Sequence, residues 1–436
     1  MSILSQFKQS QNTDFPNVRP SLDLRFALAK KLDPRITFTR GSTGTYFGPD
    51  GLMRTAGVNE PRFDHDPITG QSLGLMVEES RVNSWLYSGQ NVTTGWSFTP
   101  TTISFDNTQT TPDGSTNTIK FTERAIYTGG MGFSQTLSVT SGTSYTFSIF
   151  AKQPDNSPLR YLSILLLNTG FGEIKLATFN PKNGAVLYTT GTLTTSVQKY
   201  PNGWWRFSVT GTATVTTTSE FSVRFTNSIS FSVGGGPYGN YTGDGSSFLY
   251  FYGPQVENGA FMTSFIPTTA STVTRSADNA SMTGTNFSSW YNQGEGTLYA
   301  NAKSNTNSFL PTGVAAINNS SSPTANRVDL RYYQSGSSQN TFNGVGGGGS
   351  SIFRTSGFSL TNPKFVVSYA SQNVNFCVNS SLTSSRASAF VPSPLVNRLI
   401  IGNFDSGTIY YLNGTISRLT YYPIQLTNQQ LINLTS

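Results

Sequence analysis

The chain has 436 residues, of which only 11% are charged and 13% are aromatic, with 31 Phe and 20 Tyr. At roughly 150 residues per domain this length points to about three units, and the aromatic content supplies enough burial to exclude a disordered chain. The net charge of +7 is scattered, with Lys30-Lys31 the densest basic pair, which describes a solvated surface and no nucleic-acid footprint.

Cys377 is the single cysteine, so no intrachain disulfide can form, and assembly in a reducing cytoplasm is expected. The opening MSILSQFKQSQ has no apolar core of signal-peptide length. No stretch approaches the ~20 apolar residues of a membrane span, so a soluble chain without a cleaved leader is expected. Ser, Thr, Asn and Gly run through nearly every segment. Together with the aromatics they describe short strands joined by polar turns, with hydroxyls and amides facing water. Such a surface suits a β protein exposed outside the cell, meeting glycans or copies of itself.

Residues 1–34 read as an N-terminal docking arm, polar and irregular up to Pro20. Residues 22–34 have some helical character, and Pro34 ends it. Residues 35–87 read as two hairpins. Gly48-Pro49-Asp50-Gly51 forms the first turn, because Pro49 presets φ and Asp50-Gly51 reverses the chain. Asp66-Pro67 with Thr69-Gly70 forms the second.

Residues 88–270 are expected to form a β-sandwich, with strands at 117–122, 131–138, 144–152, 160–167, 172–179, 185–190, 203–210, 220–226 and 247–257. Turn signals recur about every 8–12 residues, the spacing of sandwiches. Residues 271–285 read as a polar linker. Residues 286–436 predict a second sandwich, with strands at 296–303, 312–318, 326–333, 352–356, 364–370, 373–378, 397–403, 408–412 and 414–421 and a four-glycine tip at Gly346–Gly349. A helix closes the chain at 428–434, signalled by a Thr427/Gln430 capping box and a Leu426/Leu431 staple. The predicted fold class is all-β: an arm and hairpin region, two antiparallel β-sandwich (jelly-roll) domains and one short C-terminal helix.

Three pieces carry a resemblance. The first comprises Arg35-Ile36-Thr37-Phe38-Thr39-Arg40, Gly44-Thr45-Tyr46, Asp50-Gly51-Leu52, Glu60-Pro61-Arg62-Phe63-Asp64 and Leu75-Met76-Val77-Glu78-Glu79-Ser80-Arg81-Val82-Asn83. It resembles the opening of tailed-bacteriophage virion proteins of the marine and cyanobacterial phage type, which also show the run Thr263-Ser264-Phe265-Ile266-Pro267-Thr268. The second comprises Tyr145-Thr146-Phe147-Ser148, Gly203-Trp204-Trp205-Arg206-Phe207 and Leu249-Tyr250-Phe251-Tyr252-Gly253-Pro254-Gln255-Val256-Glu257, and is similar to jelly-roll carbohydrate-binding modules. The third, Leu412-Asn413-Gly414-Thr415-Ile416 through Pro423 with the short helix, resembles concanavalin A/laminin-G-type sandwiches.

The resemblance implies a structural protein of the phage particle (fibre, appendage or decoration protein). It would dock to other virion proteins through its arm, form a homo-oligomer with a trimer favoured, and be located on the virion after assembly in the host cytoplasm. The alternative it implies is a receptor-binding adhesin for host-surface polysaccharide. No cofactor is required by either reading, and calcium is the one both sandwich types suggest.

Residues that could carry catalysis are few. The lone histidine, His65, sits in Asp64-His65-Asp66, either as a metal ligand or base or as a turn-flanking residue. One histidine and one cysteine cannot build a zinc site of the usual composition. Glycoside hydrolysis needs paired carboxylates, whereas Glu173, Glu220, Glu257 and Glu295 stand alone. Glu78 and Glu79 are adjacent and face opposite sides on a strand. No enzyme is expected, and Glu78, Arg62 and Arg81 are expected in structural ion pairs. Glycan binding needs rings with amides and hydroxyls. Trp204 and Trp205, and Tyr238 and Tyr241 in the glycine-rich loop, are the candidates, with core packing or a neighbouring subunit as the competing roles. Asp244 and Asp405 are candidate calcium ligands, or plain turn residues.

Overall fold

The computed structural model describes residues 18–89, 95–98, 101–116, 118–229, 241–305, 312–335, 339–346, 351–355, 363–371, 373–386, 396–405 and 410–436. The protein is 51% strand and 6% helix, with antiparallel sheets throughout, which gives the all-β class expected. Residues 1–17, the outer part of the expected arm, lie outside the described residues. Among the described residues no helix is long and apolar enough to cross a membrane.

The first sandwich packs two sheets face to face. One runs Thr194–Lys199, Trp205–Thr212, Ser144–Lys152, Phe248–Asn258, Thr118–Glu123, Thr101–Asp106. The other runs Val186–Thr190, Lys175–Phe179, Tyr161–Leu166, Thr217–Thr226, Met131–Val139, Ser97–Phe98. The period-2 alternation in Ser144–Lys152 sends Phe147, Ile149 and Ala151 into the core between the sheets, as the strand geometry requires. Aromatic rings fill that core. Trp85 stacks on Phe147 at 5.0 Å and Trp96 on Phe133 at 4.8 Å.

The second sandwich has a sheet ordered Ser381–Arg386, Asn373–Val378, Lys364–Ala370, Gly296–Ser304, Gly414–Tyr422, Ser72–Val77, Arg62–His65. Its partner sheet runs Thr37–Thr39, Asn279–Thr283, Arg398–Ile401, Thr312–Asn319, Ser322–Ser335, Gln339–Gly346, Ser351–Thr355. Four early pieces of chain, Leu22–Leu24, Thr37–Thr39, Arg62–His65 and Ser72–Val77, are therefore strands of the late sandwich. Leu22–Leu24 pairs with Gly414–Tyr422, as does Ser72–Val77, and Thr37–Thr39 pairs with Asn279–Thr283. Leu22, Leu24, Phe26, Leu75 and Val77 are buried in one core with Leu298, Val314, Leu399 and Leu419. At Gly74 the φ is +98° and an added Cβ would lie 2.1 Å from the Ile416 carbonyl oxygen, so only glycine lets the strand lie this close.

Both expected hairpin turns are present. Gly44–Phe47 pairs with Met53–Ala56 around Pro49-Asp50, and Arg62–His65 pairs with Ser72–Val77 around Asp66–Gly70. The helix Asn428–Leu434 starts at Thr427, whose side chain accepts the Gln430 N–H while the Gln430 side chain accepts the Thr427 N–H. Leu426 and Leu431 pack beneath it against Val366 and Cys377.

The structure departs from the expectation in its polar strands. Thr101–Asp106, Thr194–Lys199, Gln339–Gly346 and Ser381–Arg386 are strands that the apolar pattern did not predict. Three of these four are edge strands and Gln339–Gly346 lies next to one, where few side chains need be apolar. Residues 271–285, polar in sequence, hold strands Val273–Arg275 and Asn279–Thr283. The strand expected at 408–412 is not seen at 410–412, and 406–409 lie outside the described residues. So do Gly347–Gly349 of the glycine tip.

Leu75→Ala removes an apolar group from the middle of the second core and is expected to cost about 2–5 kcal/mol. Urea unfolding should show that loss in the transition of the second sandwich. A change below about 0.5 kcal/mol would contradict the placement of residues 72–77 in that core.

Candidate functional site

The main concentration of charge among the described residues is buried. Arg40, Arg62, Arg275, Glu78 and Asp278 form one network in which every side chain is 6% exposed or less. The hairpins bring in Arg62 and Glu78, strand Val273–Arg275 brings Arg275, and the turn after it brings Asp278. Arg62 Nη1 lies 2.7 Å from Glu78 Oε2, and its Nη2 donates to Asp278. Arg275 Nη1 lies 2.8 Å from the same Glu78 oxygen, and Arg40 Nη1 lies 3.0 Å from Asp278 Oδ1.

Neutral groups add further partners, while the Nε atoms of Arg62 and Arg275 are buried with no partner among the described residues. Ser264 donates its N–H to Glu78 Oε1 at 2.8 Å and its hydroxyl to Oε2 at 2.6 Å. Arg62 also donates to the Thr45 carbonyl at 2.9 Å, and Thr45 Oγ1 donates to the Phe265 carbonyl at 2.6 Å. Next to the network, Asn413 accepts the Glu79 N–H at 2.9 Å and donates to the Glu79 carboxylate at 3.1 Å, while Arg81 pairs with that carboxylate at 2.5 Å. The residues so joined come from the hairpin block, from the end of the first sandwich at 263–265, and from the second sandwich at 413. Arg62 and Glu78 are thus paired as expected, while Arg81 takes Glu79.

Burial alone would raise the Glu78 carboxyl. The Arg275 and Arg62 guanidinium groups, with Ser264, outweigh it and hold the carboxyl at about 2. Asp64 is fully buried nearby with one strong donor, the Phe47 N–H at 2.7 Å. Burial pushes its carboxyl up to about 7, against that hydrogen bond and Arg62. His65 sits in the same hairpin with Nδ1 3.0 Å from the Phe47 carbonyl, so Nδ1 carries the proton.

The aromatic face of the first sandwich is covered by the chain itself. Phe150, Tyr200, Trp204, Phe248, Tyr250 and Tyr252 line the sheet face that points away from the core, and all are buried. Met53 and Phe47 of the first hairpin pack on them, Phe47 at 4.8 Å from Tyr200. The segment 106–113 covers the rest: Tyr250 donates to Asp106 at 2.5 Å, Tyr252 to Asp113 at 2.9 Å, and Trp204 Nε1 to the Thr110 carbonyl at 2.8 Å.

The residues singled out in the sequence are therefore dispersed. Trp204 is 1% exposed within this covered face, away from solvent. Trp205 is half-buried against the first core, with Gly184 on its ring and Lys199 Nζ 5.7 Å from its centroid. Tyr241 is buried, and its hydroxyl donates to Glu123 at 2.5 Å. Asp244 belongs to the same cluster. One of its oxygens accepts from the Ser246 and Ser247 N–H groups at 2.7 Å each, and the other accepts from Ser247 Oγ and from Arg160 at 2.8 Å. Arg160 also pairs with Glu123. Both oxygens of the Asp244 carboxylate are thus engaged by protein donors. Asp405 is half-buried, with its N–H 3.3 Å from Asn403 Oδ1. Tyr238 lies outside the described residues. Among the described residues no three His, Cys, Asp or Glu side chains cluster as a metal site.

Sequence reasoning missed Arg275, Asp278 and Arg40 as network members. Arg275 and Asp278 stand out in an otherwise hydroxyl-rich stretch only as charged residues, which does not identify their partners.

An open cleft of about 670 Å³ lies at one end of the second sandwich. Phe287, Tyr291 and Val396 form its apolar wall, and Ser288, Ser320 and Asn397 are among its polar groups. No family model matches the chain, and no curated protein sequence matches it. Among solved structures, the CBM40 of the Ruminococcus gnavus IT-sialidase is 15% identical over 33% of this chain and 84% of that chain, with a TM-score of 0.28. Domain 4 of AbnA, a GH43 extracellular arabinanase from Geobacillus stearothermophilus in complex with arabinotriose, is 11% identical over 41% of this chain and 84% of that chain, with a TM-score of 0.29. A heptameric SAP-like pentraxin from Limulus polyphemus is 12% identical over 33% of this chain and 70% of that chain, with a TM-score of 0.24. The fold assignment rests on the sheet topology above.

Glu78→Gln leaves two buried guanidinium groups short of charge and is expected to cost about 3–5 kcal/mol at pH 7. Because the folded-state pKa of Glu78 lies below its unfolded value, its contribution is present above pH 4.5 and is lost as pH falls toward 2. The variant's urea-unfolding stability should lack that acid limb. Asp64 has the opposite sign. Its folded pKa is raised, so between pH 3.8 and about 7 stability falls as pH rises. Asp64→Asn should abolish that decline, and an unchanged pH profile would contradict the assignment.

Proposed function

We propose that the chain is a non-catalytic structural protein of a phage particle, a fibre, appendage or decoration protein that displays its sandwiches on the virion surface. In this reading residues ahead of Leu22 dock to other virion proteins, and the chain self-associates, with a trimer favoured. The observation that supports it is the buried network of Arg62, Glu78, Arg275 and Asp278. It ties the N-terminal hairpins to residues of both sandwiches with charges that no solvent reaches. A protein that works by holding modules out from an attachment point needs such a junction. The carboxylates of this network are held by arginines, which supports a structural and not a hydrolytic use.

A second reading is a receptor-binding adhesin for host-surface polysaccharide. The cleft beside Tyr291 favours it, because it combines aromatic rings with hydroxyls and an amide. Calcium could take part in either reading, and binding assays with and without a chelator test it.

Deleting residues 1–17 spares the buried strand Leu22–Leu24. The truncated chain is expected to fold with an unchanged thermal midpoint and to be absent from purified particles when it replaces the full chain during infection. Normal incorporation would refute the docking role. Sedimentation analysis of the full chain is expected to give a trimer, and a monomer at particle-like concentrations would refute the self-association.

A further inference from the structure

We infer that the cleft at the end of the second sandwich is a binding site for a neutral saccharide, an inference that rests on the adhesin reading and locates its site. The argument starts from two parts of the lining, each of which is held rigid by contacts elsewhere. One is the segment after strand Asn279–Thr283. Phe287 and Trp290 anchor it in the second core, where both are buried. Trp290 Nε1 donates to the Asn286 carbonyl at 2.8 Å, and Asn292 Nδ2 donates to the Pro423 carbonyl at 2.7 Å. Phe287 and Tyr291 stack at 4.7 Å and 27°, so the half-buried Tyr291 ring is fixed where it meets the cleft.

The other part of the lining is an amide clasp. Ser320 donates its N–H to Asn397 Oδ1 at 3.0 Å, and Asn397 Nδ2 donates to Ser320 Oγ at 3.1 Å. The Asn397 N–H is in turn held by the Asn318 carbonyl at 3.0 Å. This orients an exposed carboxamide, and an amide nitrogen carries two protons. The second proton of Asn397 Nδ2 can therefore reach a ligand at no cost in side-chain ordering. Gly284, also in the lining, has φ +55° and nothing within 4 Å of where a Cβ would lie, which leaves the space beside it open.

Among the described residues the lining holds no charged side chain. Such a cleft offers a phosphate, a carboxylate or a sialic acid no counter-charge. It offers a sugar what a sugar uses, an aromatic edge for its C–H face and fixed amides and hydroxyls for its OH groups. The volume of about 670 Å³ falls within the roughly 300–1,000 Å³ of small-molecule pockets, enough for a short oligosaccharide.

The test uses the full chain and ligand-observed NMR with a panel of trisaccharides of glucose, galactose, mannose, rhamnose and N-acetylglucosamine, with 3′-sialyllactose as the charged comparison. At least one neutral member is expected to bind, and sialyllactose more weakly. Tyr291→Ala and Asn397→Ala should each weaken that binding tenfold or more. Asn397→Ala lies on the surface, so a thermal midpoint near that of the parent chain will show that it folds if Tyr291→Ala does not. Neutral-sugar binding that survives Asn397→Ala and Tyr291→Ala would overturn the cleft assignment while leaving the adhesin reading intact. Preference for sialyllactose would overturn the neutral-ligand inference. No binding by the parent chain to any member up to 10 mM, roughly the weak limit of useful recognition, would overturn both.

Discussion

Two buried arginines sharing one carboxylate set the terms for the rest of this molecule. Glu78 holds Arg62 and Arg275 at 2.7 and 2.8 Å, with the second carboxylate, Asp278, closing the set. Charges in a dry interior are costly unless each has its counterpart and most of its hydrogen-bond sites are filled, and here only the Nε atoms of Arg62 and Arg275 in the set lack a partner. That condition dictates local structure over a wide stretch of chain. Ser264 must present both its N–H and its hydroxyl to Glu78, Thr45 must turn its carbonyl to Arg62, and Asp278 must accept the Glu78 N–H at 2.9 Å. The hairpin turns, the end of the first sandwich and the strands at 273–283 are consequently specified together. Moving any one of them strands a charge.

The same block of sequence also explains why the aromatic richness does not translate into exposed rings. The hairpin that delivers Thr45 to Arg62 carries Phe47 and Met53 on to the outer aromatic face of the first sandwich. With segment 106–113 added, the tyrosine hydroxyls and the Trp204 indole find internal acceptors. A sheet face that could have met a ligand instead meets the protein's own hairpin, and this burial and the ion network reinforce one another across a single block. Tyr241 and Asp244 follow the same logic on a smaller scale, converging on Glu123 and Arg160.

Much of the fold was legible because it rests on local rules. Period-2 alternation in Ser144–Lys152, the Pro49-Asp50-Gly51 reversal and the Thr427/Gln430 capping box each act within a few residues and each has its expected structure. The site was less legible, because partners far apart in sequence decide it. Trp204 and Tyr241 have the right chemistry for a sugar, and only the positions of Met53, Thr110 and Glu123 reveal that they are covered. Arg275 and Asp278 looked like ordinary polar residues in a hydroxyl-rich stretch, since nothing in residues 271–285 tells that Arg62 waits across the interface. The strands at Thr101–Asp106 and Thr194–Lys199 were hidden for another reason: edge strands need no apolar stripe.

The placement of charge also accounts for the surface. Arginines 40, 62, 81, 160, 206, 224, 275 and 331 are buried, as are Asp64, Glu78, Glu123, Glu257, Asp278 and Asp329. A composition low in charge thus spends a good part of its charged side chains inside, and the rest are spread among hydroxyls, amides and backbone. Solvent salt barely screens pairs held inside, so the junction keeps its strength across ionic conditions that would weaken surface bridges. An exterior with few charges, meanwhile, gives long-range electrostatics little part in choosing partners, and recognition falls to short-range shape, hydrogen bonding and ring contact. That is the chemistry of the uncharged cleft between Tyr291 and Asn397. It follows from the same allocation of charge that fastens the hairpins to the two sandwiches.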